Sequence, residues 1–185
     1  MSIPPGNSVE GVPSSFKVVI FGTGNRVVVR RPGPGNFSGG VYIGTSDCPS
    51  RDCAVEIGEG CTANGLMIRL LEDGSRFEMG RDCMVADDVK VWVSDTHAVT
   101  DRTGHVINLG RSVTIGDHVW IGYGARILKN TMLPSGSVVG AGAVVCGTSD
   151  AVENCVLAGN PARVVKTDIC WHRERPQQMV RMASL

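Results

Sequence analysis

The chain has 185 residues, with 18 basic and 18 acidic side chains, 24 glycines and 9 prolines. That length suits one domain with or without a tail, and a formal charge of zero argues against nucleic-acid binding through neutralised phosphates. Apolar residues hold at 42%, too many for a disordered polymer, yet no stretch approaches the roughly 18–20 consecutive apolar residues of a transmembrane segment.

In chain order, MSIPPGNSVEGVPSS lacks the basic start and apolar middle of a secretory signal, so the expected location is cytoplasmic. Its prolines and serines predict a flexible N-terminus over residues 1–15. RPGPGNFSGG at 31–40 reads as a loop between early repeats. Around it, KVVIFGTGNRVVV, VYIGTSDC and VEIGEGCT keep apolar pairs and turn residues at spacings that are not multiples of six. The cysteines, Cys48, Cys53, Cys61, Cys83, Cys146, Cys155 and Cys170, include no CxxC pair. They read as reduced thiols serving as small apolar residues, and no metal is expected.

From residue 79 a six-residue period sets in. MGRDCM, VADDVK and VWVSDT place Met79, Val85 and Val91 first, with Cys83 and Val89 fifth. Ala98–Ser112 breaks the template, with Thr103 where an aliphatic residue is due, so this stretch reads as a distorted coil or a projecting loop. From 115 the period returns as IGDHVW, IGYGAR, ILKNTM, LPSGSV, VGAGAV and VCGTSD. Its first places are Ile115, Ile121, Ile127, Leu133, Val139 and Val145; its fifth places are Val119, Ala125, Thr131, Ser137, Ala143 and Ser149. Met79 and Ile115 lie a whole number of periods apart, so the register can survive the interruption. After Gly159-Asn160-Pro161 the repeat stops, and 159–185 reads as a charged C-terminal tail in which Pro176 limits any helix.

Six is incompatible with a helix of 3.6 residues per turn and too short for ordinary alternating strands. Very short strands joined by tight corners fit it, three sides closing one turn. Stacked about 4.8 Å apart, such turns form a parallel β-helix with an aliphatic core. The repeat resembles the left-handed β-helix of the hexapeptide-repeat acyltransferase superfamily, and the handedness is an implication of that resemblance. The expected fold is therefore all-β, with a left-handed parallel β-helix over 16–158, a loop at about 98–112 and a short tail.

LEDGSRFEMGRDCMV, SDTHAVTDRTGHVINLG and ICWHRER, taken in order, resemble the sugar, capsule and O-antigen O-acetyltransferases of that superfamily. The resemblance implies acetyl transfer from acetyl-CoA to a carbohydrate hydroxyl by a homotrimer with active sites between subunits. His97, in SDTHAV, matches the catalytic histidine. An imidazole with a pKa near 6.5 suits the removal of a hydroxyl proton during attack on a thioester, and can then protonate the leaving thiolate. Trp120, in GDHVWIG, matches a tryptophan that frames the acceptor site, and an indole face suits the apolar side of a sugar. Asp95 is a candidate for the substrate site or for orienting His97, while Asp101 reads better as a turn residue.

Coenzyme binding in the family runs largely along backbone groups. The matching positions are Gly122, Tyr123, Ala141 and Gly142, with Arg163 and Lys166 in GNPARVVK as phosphate partners. Relatives commonly carry VVTKDIPPN where this chain has VVCGTSDAVEN, two residues longer and without the lysine. That implies an altered loop over 146–154. Three alternatives stay open: an antibiotic O-acetyltransferase of the same superfamily, a γ-class carbonic anhydrase drawing zinc ligands from His97, His105 or His118, and a structural solenoid.

Overall fold

The computed structural model describes residues 3–147 and 150–182. Early coils contribute β1 (Ser8–Glu10), β2 (Phe16–Ile20), β3 (Arg26–Val29), β4 (Phe37–Ile43) and β5 (Ala54–Ile57). Next come β6 (Thr62–Leu70), β7 (Arg76–Met79), β8 (Met84–Val85) and β9 (Val89–Trp92). Beyond a projecting loop lie β10 (Ser112–Ile115), β11 (Trp120–Ile121), β12 (Arg126–Leu128), β13 (Thr131–Leu133), β14 (Val138–Val139) and β15 (Val144–Val145). The chain closes with β16 (Val156–Gly159), β17 (Ala162–Lys166) and the helix α1 (Pro176–Met182).

These strands form the three faces of a prism. One face runs β1-β3-β5-β7-β10-β13, a second carries β2, β4, β6, β9, β12 and β15, and a third carries β8, β11, β14 and β16. Strand β6 is long enough to turn a corner. Its Thr62–Ala63 end pairs with β8 and its Leu66–Arg69 end with β9, which joins the second and third faces into one hydrogen-bonded sheet. Pairing along each face is parallel; β17 folds back antiparallel on β16.

Register carries the core. Met79 pairs with Ile115 and Ile115 with Leu133; Val85 pairs with Ile121 and Ile121 with Val139; Val91 pairs with Ile127 and Ile127 with Val145. All nine are buried, and each such side chain contributes about 1.5–3 kcal/mol relative to exposure. Val119, Ala125, Thr131, Ser137 and Ala143 fill the inner corners, whereas Ser149 lies outside the described residues. Cys53, Cys61, Cys83 and Cys155 are buried free thiols, so cysteine here serves as a compact core residue. Neighbouring coils are offset by 18 residues after the loop and by 36 across it. The loop thus inserts one coil's length of chain without disturbing the register. Earlier offsets run from 18 to 28 residues, which is why the period fades towards the N-terminus.

Two boundaries differ from expectation. Residues 1–15 are not uniformly flexible: Ser8–Glu10 pairs in parallel with Arg26–Val28, and the Asn25 amide donates to Asn7 Oδ1 at 2.9 Å. Open ladder groups on β3 reward this pairing despite the prolines around it. Pro176 opens α1 instead of limiting it, because the first helical turn needs no amide donor there.

Candidate active site

After Trp92 the chain leaves the prism. Ser94 is still buried, Thr96 takes the left-handed conformation (φ 71°), and His97 emerges exposed, its amide donating to Asp95 O at 2.8 Å. The segment beyond it is a hairpin with an antiparallel bridge between Thr100 and Val106. Asp101 builds its tip: Oδ1 accepts from the Thr103 amide at 2.8 Å, the Thr103 hydroxyl at 2.7 Å and the His105 amide at 3.1 Å. It is a turn residue.

Asn108 ties the neck of this hairpin. Its Nδ2 donates to Asp95 Oδ2 and to His97 O, both at 2.9 Å, while its Oδ1 accepts from the Val99 amide at 2.8 Å. From the corner after β12, the Lys129 ammonium donates to both Asp95 Oδ2 and Asn108 O. The hydrogen bond from Lys129, reinforced by that from Asn108, holds the Asp95 carboxyl below the usual carboxylate range. The structure therefore commits Asp95 to Lys129 and Asn108, not to the His97 ring. Neither partner was singled out from sequence, since the Asp95–Lys129 contact spans 34 residues.

Trp120 lies on β11, the residue 38% exposed, and Trp171 of the C-terminal tail packs beside it. Trp171 is buried, its ring centroid 6.1 Å from that of Trp120. Its own indole N–H donates to His118 O at 2.8 Å, and its ring stacks on the His118 imidazole at 4.0 Å and 9°. His118 stands at a corner with φ 53°, its Nδ1 2.7 Å from Asp82 Oδ2 and its Nε2 3.1 Å from Trp171 O. Both partners are acceptors, so the ring makes the two bonds together only when doubly protonated. Arg173 completes the clamp by donating from Nε to Asp82 Oδ1 at 3.0 Å. Partial desolvation opposes ionisation of Asp82, but hydrogen bonds from His118 and Arg173 outweigh it and lower its pKa.

Directly after Trp120, the corner residues Gly122 and Tyr123 stack beneath Ala141 and Gly142. The Gly122 amide donates to Val139 O at 2.8 Å and the Gly142 amide to Tyr123 O at 2.8 Å. A β-carbon on Gly122 would lie 2.8 Å from both Ala141 N and Val139 O, so only glycine fits this corner. Among the described residues the amides of Tyr123 and Ala141 have no acceptor, which leaves two backbone donors on this column. Arg163, on β17, lines an open groove of about 910 Å³ with Asn130, Met132, Cys146, Gly147, Asp150 and Ala151. The altered 146–154 loop thus stands beside Arg163; its Thr148 and Ser149 lie outside the described residues. Lys166 is exposed opposite Val156.

Within one chain, then, Trp120, Gly122, Tyr123, Ala141 and Gly142 come together, and Arg163 and Lys166 sit on the return strand. His97 follows β9 on the second face, whereas Trp120 lies on β11 of the third. No group of three or more His, Cys, Asp or Glu side chains that could hold a metal ion occurs among the described residues. No helix of the described residues is long and apolar enough to cross a membrane.

No family model matches the chain. Individual relatives do. A polysialic acid O-acetyltransferase of Escherichia coli O1:K1 / APEC is 34% identical over 120 residues, covering 64% of this chain and 38% of that protein. One from Neisseria meningitidis is 37% identical over 124 residues, covering 66% and 57%. The chain thus spans between about two fifths and three fifths of the length of these relatives. Among solved structures, a polySia-specific acetyltransferase superposes with a TM-score of 0.76 at 27% identity, over 92% of this chain and 78% of that one. A galactoside acetyltransferase in complex with coenzyme A gives 0.52 at 25% identity, over 78% and 64%. The fold is that of the left-handed β-helix acetyltransferases. In sequence the chain is similar to these polysialic acid O-acetyltransferases and, over 30% of its length, to a putative lipopolysaccharide biosynthesis O-acetyl transferase of Escherichia coli K12.

Proposed function

We propose that the chain is an O-acetyltransferase that moves acetyl from acetyl-CoA to a carbohydrate hydroxyl, with His97 as general base. The observation that carries this reading is the exposed His97, whose backbone carbonyl is tied at the neck of the hairpin, on a prism whose Gly122–Gly142 column offers backbone donors. His97 takes the acceptor proton as the hydroxyl oxygen attacks the thioester carbonyl. The tetrahedral oxyanion is stabilised by a backbone N–H, for which Tyr123 is the better candidate because the Gly122 N–H is already bonded to Val139 O. Collapse breaks the carbon–sulfur bond, and His97 returns the proton to the thiolate of coenzyme A. Gly122, Tyr123, Ala141 and Gly142 would hold the pantetheine arm, and Arg163 and Lys166 the phosphates. Asp95 would act on the substrate side only through its hold on the hairpin.

His97 follows β9 on the second face and Trp120 lies on β11 of the third, which supports a site completed by a second copy, as in a homotrimer with active sites between subunits. Exposed Val99, Val106, Ile107 and Leu109 on the hairpin supply apolar surface for that contact. A cytoplasmic location fits the seven free thiols. Calorimetric titration with acetyl-CoA tests the donor half without a choice of acceptor. Saturable binding near one per chain is expected, and no heat at millimolar ligand would overturn the reading.

A further inference from the structure

Two edges bound the second face of the prism. Gly122, Tyr123, Ala141 and Gly142 lie where the chain enters it, just before β12 and β15. β9 and β12 leave it at the opposite edge, where His97 emerges and Lys129 holds the hairpin neck. An active site shared between copies therefore joins the exit edge of one prism to the entry edge of the next. Three triangular prisms close such a ring with their second faces turned inward. With the third corner inward instead, the apices collide while the two edges are still splayed apart.

The charge of this face is one-sided. None of its strands, β2, β4, β6, β9, β12 and β15, carries an acidic residue, yet Lys17, Arg69, Lys90 and Arg126 stand on them. Their chain neighbours Val18, Ile68, Val91 and Ile127 are buried, so strand alternation turns the four cations outward. Asp88, at the corner before β9, is shared by Lys90 at 3.1 Å and Arg126 at 3.0 Å. Lys17 lies 5.9 Å from the Tyr42 ring centroid and is exposed to water.

Arg69 differs from all three. It has no ion pair or side-chain hydrogen bond among the described residues, and its Nε is buried without a partner. Its register partners Tyr42 and Trp92, on β4 and β9, hold the guanidinium between them, their ring centroids 5.8 Å and 5.1 Å away. The cation is thus positioned but not neutralised. Ring closure sets three such guanidiniums at one level of the axis, with no carboxylate on the surrounding strands to offset them. They repel one another as water is excluded between the copies. A guanidinium fork is weakly hydrated and matches the oxygens of a tetrahedral anion.

We propose that the assembled protein binds one tetrahedral oxyanion, inorganic phosphate or sulfate, on its threefold axis, held by Arg69 from each of three copies. The proposal rests on the reading of active sites shared between three copies, and adds a site remote from the acetyl-transfer chemistry.

The test uses the full chain. Sedimentation velocity should show a trimer. Calorimetric titration with phosphate or sulfate, at an ionic strength held constant with sodium chloride, should give saturable binding near one ion per three chains. The unfolding midpoint should rise with either ion and not with chloride. Arg69→Met should abolish binding and remain trimeric, because the repulsion goes with the charge. Arg69→Lys keeps the charge without the planar fork and should weaken binding about tenfold or more, which serves as the comparison if the methionine variant misfolds. Arg163→Ala, in the groove proposed for the donor, should leave the stoichiometry intact. A trimer without saturable binding, binding once per chain that is lost in Arg163→Ala, or binding unchanged in the Arg69 variants overturns the axial site and leaves the shared active sites standing. A monomer at every concentration removes the shared-site reading and the axial site together, and acetyl-CoA binding by that monomer would still support the donor reading.

Discussion

Asn108 Nδ2 donates to the carbonyl oxygen of His97 at 2.9 Å, so the residue that ends the hairpin also fixes the one that begins it. Three side-chain bonds of Asn108 and two from Lys129 tie the neck of an otherwise exposed loop. Asn108→Ala is expected to lower kcat about tenfold while leaving acetyl-CoA affinity within twofold, because it loosens the base and not the donor column. Steady-state kinetics beside donor calorimetry separate the two effects. A rise in donor KM with kcat intact would show that the neck serves another purpose.

His97→Ala should cost roughly 100-fold or more in turnover, the usual contribution of a positioned general base, with donor binding retained. Single-turnover acetyl transfer to a responsive acceptor provides the measurement. Near-wild-type turnover would remove His97 from the mechanism.

Acid should loosen the hairpin before it loosens the prism. The Asp95 carboxyl is held below its unfolded value by Lys129 and Asn108. Its contribution is therefore fully present above the unfolded carboxylate pKa, about 3.9, and is lost as pH falls through the lower folded value. Hydrogen exchange should show protection of the Val99 and Ile107 amides falling below about pH 4 while β10–β15 stay protected. Lys129→Met should raise the pH at which that loss begins.

Trp171→Ala should lower the unfolding free energy by about 3 kcal/mol, since a buried indole stacked on His118 leaves both a cavity and a freed tail. Trp171→Phe keeps a ring over His118 and loses only the indole N–H bond, so about 1 kcal/mol is expected. Denaturant titration of the two variants provides the comparison, and equal losses would show that the stack contributes little.

Gly122→Ala forces a β-carbon against the Ala141 and Val139 backbone, which must shift the column proposed for the coenzyme. An increase of about tenfold in donor KM is expected, and a similar one for Arg163→Ala through its phosphate contact. Competition by free coenzyme A measures both, and an unchanged inhibition constant in either variant would take that residue out of the donor site.

The repeat was legible because inward positions in a β-helix recur at a fixed chain interval. Ile115, Ile121, Ile127, Leu133, Val139 and Val145 each meet the same stacked environment, so each bears the same kind of side chain. The interval from Met79 to Ile115 was legible for the same reason, and the two residues do pair. The early coils hid their register, because insertions of unequal length change the interval without changing the pairing.

What sequence by itself determined was the prism, its aliphatic core and the place where the loop interrupts it. All follow from local chain geometry repeated along one axis. Only the tertiary structure decided the partners of Asp95 and the clamp of Asp82, His118, Trp171 and Arg173. These contacts join residues tens of positions apart on outward faces, where no periodic environment constrains the side chain. Interior positions repeat because the core is uniform, whereas each surface contact depends on which distant segment happens to pass beside it.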